Sequence, residues 1–154
     1  MTIQELLDER RIYKVEAAKA SVSAALKRAR RDLTTARRVL AIDADWTFSI
    51  AYNGVLQASR AFMFSHGYRP ASNEAHKNTF AFMLAAVDEV HKPLITYFDR
   101  MRVKRHRLTY EAAGIATETE ASDLLSKAEE YLTWVRRQIQ PSSDETGAPD
   151  PGSS

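Results

Sequence analysis

Hydrophobic residues recur at helical spacing along most of the chain. In the segment 21–42 the apolar positions alternate in steps of four and three: Val22, Leu26, Ala29, Leu33, Ala36 and Leu40. This spacing places the apolar side chains on one face of an α-helix. Similar patterns predict helices over about 2–11, 45–66, 77–87 and 91–112 and from Thr117 to about 139, with no convincing strand. The chain is therefore predicted to be all-α, an up-and-down bundle of four to five helices.

The segment 45–66 is apolar almost all round its helix, which predicts a central helix, either buried or covered by a partner chain. One polar line runs along it, formed by Asn53, Gln57 and Arg60 at spacings of four and three. The simplest interpretation of this line is a hydrogen-bond network within or between helices. Alternatively, the three side chains support a site on the neighbouring helix.

Several residues mark where these helices begin and end. Asp43 or Asp45 can cap the start of the central helix, and Gly67 stops it. Thr117 and Glu120 have the spacing of a capping box, which predicts the start of the last helix. These signals place the helix boundaries independently of the hydrophobic pattern.

The chain divides into three regions by composition. Residues 1–20 are interpreted as a short helix and a lead-in, and residues 21–140 as the helical bundle. Residues 141–154 consist mostly of Pro, Ser, Gly and acidic residues, which predicts a disordered tail. The loop 67–77 is the longest connection inside the bundle and is expected to be mobile.

Charge and residue usage exclude several classes of protein. The net charge is only +2, but segments 27–38 and 100–107 together hold half of the 22 Lys and Arg residues. Cysteine is absent, and the histidines lack metal-ligand spacing, so neither a disulfide nor a metal site is expected. No Gly-rich phosphate loop is present, and no cofactor is expected. Without a signal peptide or an apolar run of about 18 residues, the chain is expected to be cytoplasmic and not membrane-bound.

The segment RMRVKRHRLTYE, residues 100–111, combines a hydrophobic seam with a basic surface. A helical wheel places these residues on the core side: Val90, Leu94, Tyr97, Met101 and Leu108. Arg102, His106 and Tyr110 are four residues apart and stack on a different side, with Arg105 beside them. One interpretation is a solvated basic face, and the other is a phosphate-binding surface.

If the surface binds nucleic acid, five cations are the candidate contacts: Arg100, Arg102, Lys104, Arg105 and Arg107. Arginine offers phosphate a planar fork of donors, and a tyrosine can stack on a base. His76 and Lys77 end the long loop, and their simplest role is to cap the following helix. His76 is also a candidate for supporting the site.

The sequence resembles the HEPN family of small helical domains over most of residues 1–139. Three stretches carry the resemblance: DADWTFSIAYNGVLQASRAFMFSHGYRP from Asp43, the pair His76-Lys77, and YFDRMRVKRHRLTYE from Tyr97. The resemblance implies a helical bundle that usually forms a homodimer. Many members are metal-independent ribonucleases, and many prokaryotic members are encoded beside a minimal nucleotidyltransferase as toxin–antitoxin pairs.

The ribonuclease motif of that family is Arg, a polar residue, three variable residues and His. Here Arg105 matches the motif Arg, His106 takes the polar position, and Tyr110 stands where the catalytic His is expected. A tyrosine, with an ordinary pKa near 10, is a poor general base at neutral pH. His106, one turn before Tyr110, could take over the proton transfer.

Three hypotheses follow. The first is an RNA- or nucleotide-binding dimer in a toxin–antitoxin-like module with a minimal nucleotidyltransferase. The second is a metal-independent endoribonuclease with Arg105, His106 and Tyr110 as the altered catalytic set. The third is a non-catalytic interaction module.

Overall fold

A computed structural model describes residues 1–110 and 114–139, so the predicted disordered tail lies outside the described residues. The elements in chain order are α1 (Ile3–Asp8), β1 (Ile12–Lys14), α2 (Lys19–Val39), α3 (Ala44–Ser65), β2 (Tyr68–Pro70), α4 (Ala75–Ala86), α5 (Lys92–Tyr110) and α6 (Glu118–Ile139). The all-α bundle is confirmed. Its described part contains six helices, of which α2, α3, α5 and α6 are long and α1 and α4 are shorter. No helix of the described part has the length and apolarity to cross a membrane.

The expectation that the chain contains no strand is wrong. Strands β1 and β2 form a small antiparallel sheet in which Ile12 pairs with Pro70 and Lys14 pairs with Tyr68. Gly67, at a φ of +83°, makes the turn from α3 into β2. Each strand has three residues, which is too short to produce a visible alternation of apolar and polar positions. The sheet fastens the lead-in to the loop that follows α3.

Helices α3 and α6 lie side by side and run in the same direction. The carboxylate of Asp45, at the start of α3, is bonded to the backbone of Ala116, just before α6. Farther along both helices, the hydroxyl groups of Ser59 and Tyr131 are 2.7 Å apart. Residue numbers rise together along the contact, so the two helices are parallel and both are buried along their facing sides.

Helix α2 packs antiparallel against the other side of α3. The hydroxyl of Thr47 donates to the carbonyl oxygen of Ala36 at 3.2 Å. Farther along α3, a Cβ added to Gly54 would lie 2.5 Å from a methyl carbon of Leu33. The two helices therefore approach closely because position 54 has no side chain. The predicted stripe on α2 faces this contact, with Val22, Ala29, Leu33 and Ala36 buried and Leu26 and Leu40 partly buried.

Asp43 and Asp45 have separate roles at the start of α3. Asp43 is the N-cap, and its carboxylate accepts from the backbone N–H of Trp46 at 3.0 Å. Asp45 accepts from the backbone N–H groups of Gly114 and Ala116 at 2.6 and 3.0 Å. The second set of bonds ties the connection between α5 and α6 to the start of the central helix.

The predicted capping box at the start of α6 is confirmed. The hydroxyl of Thr117 accepts from the backbone N–H of Glu120, and the carboxylate of Glu120 accepts from the backbone N–H of Thr117, both at 3.0 Å. The same carboxylate also accepts from the ammonium group of Lys104. Lys104 therefore joins α5 to α6.

The buried face of α5 differs from the predicted one. Val90 lies before the helix begins and is 81% exposed, so its assignment to the core is wrong. The buried residues of α5 are Ile95 and Phe98. The other predicted core residues are only partly buried: Leu94, Tyr97, Met101 and Leu108. Arg102 and Arg105 follow Phe98 at steps of four and three, so they lie on the same face of α5 as Phe98. Both arginines are half-buried.

Candidate functional site

A cavity of about 550 Å³ between α5 and the segment 72–77 contains five of the eleven predicted site residues. Its walls are formed by Ser72, Glu74, Ala75, His76, Lys77, Arg102, Arg105, His106, Thr109 and Tyr110. We call it the α4–α5 cleft. The fold thus brings His76 to the basic strip of α5, across about thirty residues of sequence.

Arg105 lies on the inner wall of the α4–α5 cleft. Its guanidinium carbon is 5.7 Å from the centre of the Tyr52 ring, which is within cation–π range. Its Nε is buried and has no hydrogen-bond partner among the described residues. A buried donor without a partner costs about 1–3 kcal/mol. Arg105 also lines the cleft, where its guanidinium group can offer N–H donors to an anion.

His76 is held in a defined orientation by Tyr52. The Tyr52 hydroxyl lies 3.1 Å from Nδ1 of His76. Burial raises the pKa of the Tyr52 phenol, so the hydroxyl keeps its proton and shares one hydrogen bond with Nδ1, whose direction follows the tautomer of the ring. Sequence reasoning missed Tyr52 by treating it as part of the apolar central helix, although a buried tyrosine hydroxyl usually needs a polar partner.

Positive charge is concentrated around His76. Burial lowers the pKa of His76, and the nearby cations Arg60, Arg105 and Arg102 lower it further, in that order. Part of this charge is compensated, because Nε of Arg102 donates to Asp99 at 2.8 Å. The ring of His76 is thus favoured in its neutral form, and an anion bound beside it would favour the protonated form.

His106 and Tyr110 form the outer wall of the cleft. Their ring centres are 4.6 Å apart, and Tyr110 is 74% exposed. The predicted stacking of these two residues on one side of α5 is therefore present in the structure. An exposed tyrosine ring beside a basic cleft offers a flat surface on which a nucleobase can stack.

The remaining cations proposed as nucleic-acid contacts lie outside the walls of the cleft. Lys104 is directed to Glu120 on α6, and its side chain is 20% exposed. Arg100 and Arg107 are exposed on α5. The structure therefore separates the five candidates into Arg102 and Arg105, which line the cleft, and three that do not.

The polar line on α3 is also divided. Gln57 and Arg60 line a second cavity, bounded by α2, α3 and β2, whereas Asn53 is half-buried outside the walls of both cavities. Burial lowers the pKa of Arg60, and Arg28 lowers it further despite the opposite effect of Tyr52. Arg60 thus contributes its charge to both cavities.

His76 is expected to make the folded protein less stable at acidic pH. In the folded state its pKa lies below 6.5, the ordinary value at which the unfolded chain titrates. Its contribution to stability is therefore fully present above about pH 6.5 and is lost as the pH falls through the folded-state pKa. Urea unfolding between about pH 5 and 8 should show a steeper acid-side loss for the wild type than for His76→Gln. Parallel curves would contradict the assignment of a neutral, half-buried His76.

The α4–α5 cleft offers arginine, imidazole and phenol groups for its chemistry. Such groups can bind phosphate oxygens and can transfer protons near neutral pH. No group of three or more His, Asp or Glu residues that could hold a metal ion occurs in residues 1–110 and 114–139.

Comparison with known proteins identifies both a family and a related fold. The family model described as HEPN domain matches residues 22–138. The crystal structure of TT1696 from Thermus thermophilus superposes with a TM-score of 0.60 and 20% sequence identity, covering 75% of this chain and 96% of that one. At this identity the likeness is one of fold. No curated protein matches the sequence.

Proposed function

The chain belongs to the HEPN domain family, and we propose that it is the RNA-binding subunit of a cytoplasmic two-protein module. In this proposal the α4–α5 cleft binds the phosphate backbone of RNA. The observation that carries the proposal is that Arg102, Arg105 and His76 line one cavity.

The cationic and aromatic groups of the cleft suit a phosphate ligand, and the acidic Glu74 in the same wall is paired with Lys77. Arg105 and Arg102 can offer N–H donors to the phosphate oxygens, which are strong, charge-assisted hydrogen bonds. An anion bound beside His76 would favour the protonated ring, in which both nitrogens are donors. Tyr110 can stack on the adjoining base. The cleft thus accommodates both the charged backbone and the base of a single-stranded RNA.

The salt dependence of RNA binding tests the proposal. Each phosphate contact to a single strand adds about −0.7 to the slope of the logarithm of the binding constant against the logarithm of the salt concentration. Binding of an oligouridylate, followed by fluorescence anisotropy at several salt concentrations, should therefore weaken steeply as salt rises. Absence of binding at low salt would contradict the proposal and would favour a non-catalytic interaction module.

We also propose that the protein forms a homodimer. Ile42 and Trp46 are 82% and 63% exposed beside the start of α3. Large exposed apolar side chains that lie close together suit a protein–protein contact. Sedimentation equilibrium of the full chain measures the association directly, and a monomer mass at all accessible concentrations would contradict the homodimer.

The second subunit of the module is proposed to be a minimal nucleotidyltransferase, in a toxin–antitoxin-like arrangement. Support for this pairing comes from membership of the family, many of whose prokaryotic members are encoded beside such a protein. Affinity purification from the native host, with mass spectrometry of the recovered proteins, tests the pairing. If no nucleotidyltransferase is recovered and none is encoded nearby, the partner is of another class.

A metal-independent endoribonuclease is the second candidate function, favoured by the position of His106 beside Arg105 in the cleft wall. His106 would transfer the proton and Arg105 would anchor the phosphate, with Tyr110 packed on the imidazole. RNA incubated with EDTA should then be cleaved by the wild type, and Arg105→Ala and His106→Ala should each slow cleavage by about a hundredfold or more. Equal cleavage by all three proteins would identify a contaminant.

A further inference from the structure

A second basic cavity adjoins the α4–α5 cleft. It has a volume of about 560 Å³ and lies between α2, α3 and β2. Its walls are formed by Ser21, Ala24, Ala25, Arg28, Gln57, Arg60, Phe64, Arg69, Pro70, Ser72 and Ala75. We call it the α2–α3 cavity. Among the described residues that form its walls there are three arginines and no acidic side chain.

The charge in the α2–α3 cavity is only partly balanced by its surroundings. Arg60 is half-buried, and both burial and the neighbouring Arg28 act against its charged form. Asp32, one turn along α2, is the acid that interacts with Arg28. Arg69 lies over the ring of Tyr13, with its guanidinium carbon 4.8 Å from the ring centre. Placing cations together in this way is unfavourable unless an anion joins them.

The two cavities share part of their walls. Ser72 and Ala75, the first residue of α4, line both of them, so the α2–α3 cavity lies directly beside the α4–α5 cleft. Arg60 belongs to the wall of the first and acts electrostatically on His76 in the second. A ligand longer than a single nucleotide could therefore pass from one cavity into the other.

We propose that the two cavities form one continuous binding track for single-stranded RNA, in which Arg28 and Arg60 bind a further backbone phosphate. Gln57 can donate to the same phosphate, and Phe64 offers a ring for a base. This inference rests on the proposed RNA-binding function and adds a second subsite to it. The second subsite explains why Gln57 and Arg60, on the polar line of α3, face a cavity instead of packing against a neighbouring helix.

The test compares RNA ligands of two lengths on matched variants. Arg28→Gln should weaken binding of an oligouridylate by about tenfold and reduce its salt slope by about 0.7, the effect of losing one phosphate contact. Binding of diuridylate, which is short enough to remain in the α4–α5 cleft, should be unchanged. Arg31→Gln is the control, because Arg31 is exposed on the same helix, outside the cavity walls.

A second variant separates direct contact from a change in stability. Gln57→Glu keeps the side-chain volume and adds a negative charge, so it should weaken oligouridylate binding by about a hundredfold through loss of a donor and repulsion of phosphate. Diuridylate binding should change far less. If Arg28→Gln and Gln57→Glu both leave the affinity for oligouridylate unchanged, the second subsite does not exist. This conclusion holds even if Arg105→Gln still weakens binding in the α4–α5 cleft.

Other outcomes would show that the α2–α3 cavity does not bind RNA. If neither RNA binds the wild type, the proposed function itself fails, together with the subsite. If inorganic triphosphate binds with the same sensitivity to Arg28→Gln and oligouridylate does not, the cavity holds the polyphosphate of a nucleotide and the RNA track is overturned. Equal losses for Arg28→Gln and Arg31→Gln would also overturn it, because they would reflect general charge alone.

Discussion

Replacing Arg105 with glutamine lowers the affinity for oligouridylate by roughly ten- to a hundredfold, because a hydrogen bond to a charged group contributes about 1.5–3 kcal/mol. The expected effect on folding is much smaller. The Nε of Arg105 has no partner in the described residues, so its removal breaks no hydrogen bond of that atom. The free energy of unfolding should change by about 1 kcal/mol or less, mainly through loss of the contact with Tyr52.

Fluorescence anisotropy and urea unfolding measure the two effects on the same preparations. Arg136→Gln provides the control, since Arg136 is exposed on α6 and its removal changes the net charge by the same amount. Its affinity for oligouridylate should stay within about twofold of the wild type, as expected for a distant exposed charge at moderate salt. Equal weakening in both variants would show that general charge, not the α4–α5 cleft, governs binding.

Replacing Phe98 with alanine destabilises the fold by about 3–5 kcal/mol, the range measured for buried phenylalanines. Phe98 is completely buried, and its ring centre lies 5.0 Å from that of Tyr131 on α6. A loss of this size is a large share of the roughly 5–15 kcal/mol that stabilises a domain. Because Arg102 and Arg105 follow Phe98 on the same face of α5, RNA affinity should fall as well.

Urea unfolding at fixed protein concentration measures this loss. Val103→Ala is the matched control on the same helix, since Val103 is 51% exposed and its truncation should change stability by about 0.5 kcal/mol or less. A loss of under about 1 kcal/mol for Phe98→Ala would contradict the complete burial of Phe98 beside Tyr131.

The helices could be predicted from the sequence because their signals are local. The stripe of α2 and the capping box at Thr117 and Glu120 each depend on residues within a few turns of one another. The sheet could not be predicted, because Ile12 and Pro70 meet across the length of two helices. Three-residue strands also carry too few positions to show a period of two.

The candidate site was predictable in part. Periodicity placed Arg102, His106 and Tyr110 on one side of α5, and these residues do line a common cavity. It wrongly assigned Val90, which precedes the helix, to the core, and it missed the fully buried Ile95 and Phe98. The other four residues assigned to the core side do pack against the core, partly buried. The contact between His76 and Tyr52 depends on how α4 crosses α3, and helical periodicity contains no information about such a crossing.

The parallel contact between α3 and α6 has an electrostatic consequence. Aligned helices place the positive ends of their dipoles together, and this arrangement is unfavourable unless negative charge lies near both. Asp43 and Asp45 stand at the start of α3, and Glu118 and Glu120 stand in the first turn of α6. These four carboxylates therefore offset the repulsion between the two positive dipole ends. The acidic residues at the helix starts thus help to stabilise the parallel pairing of α3 with α6.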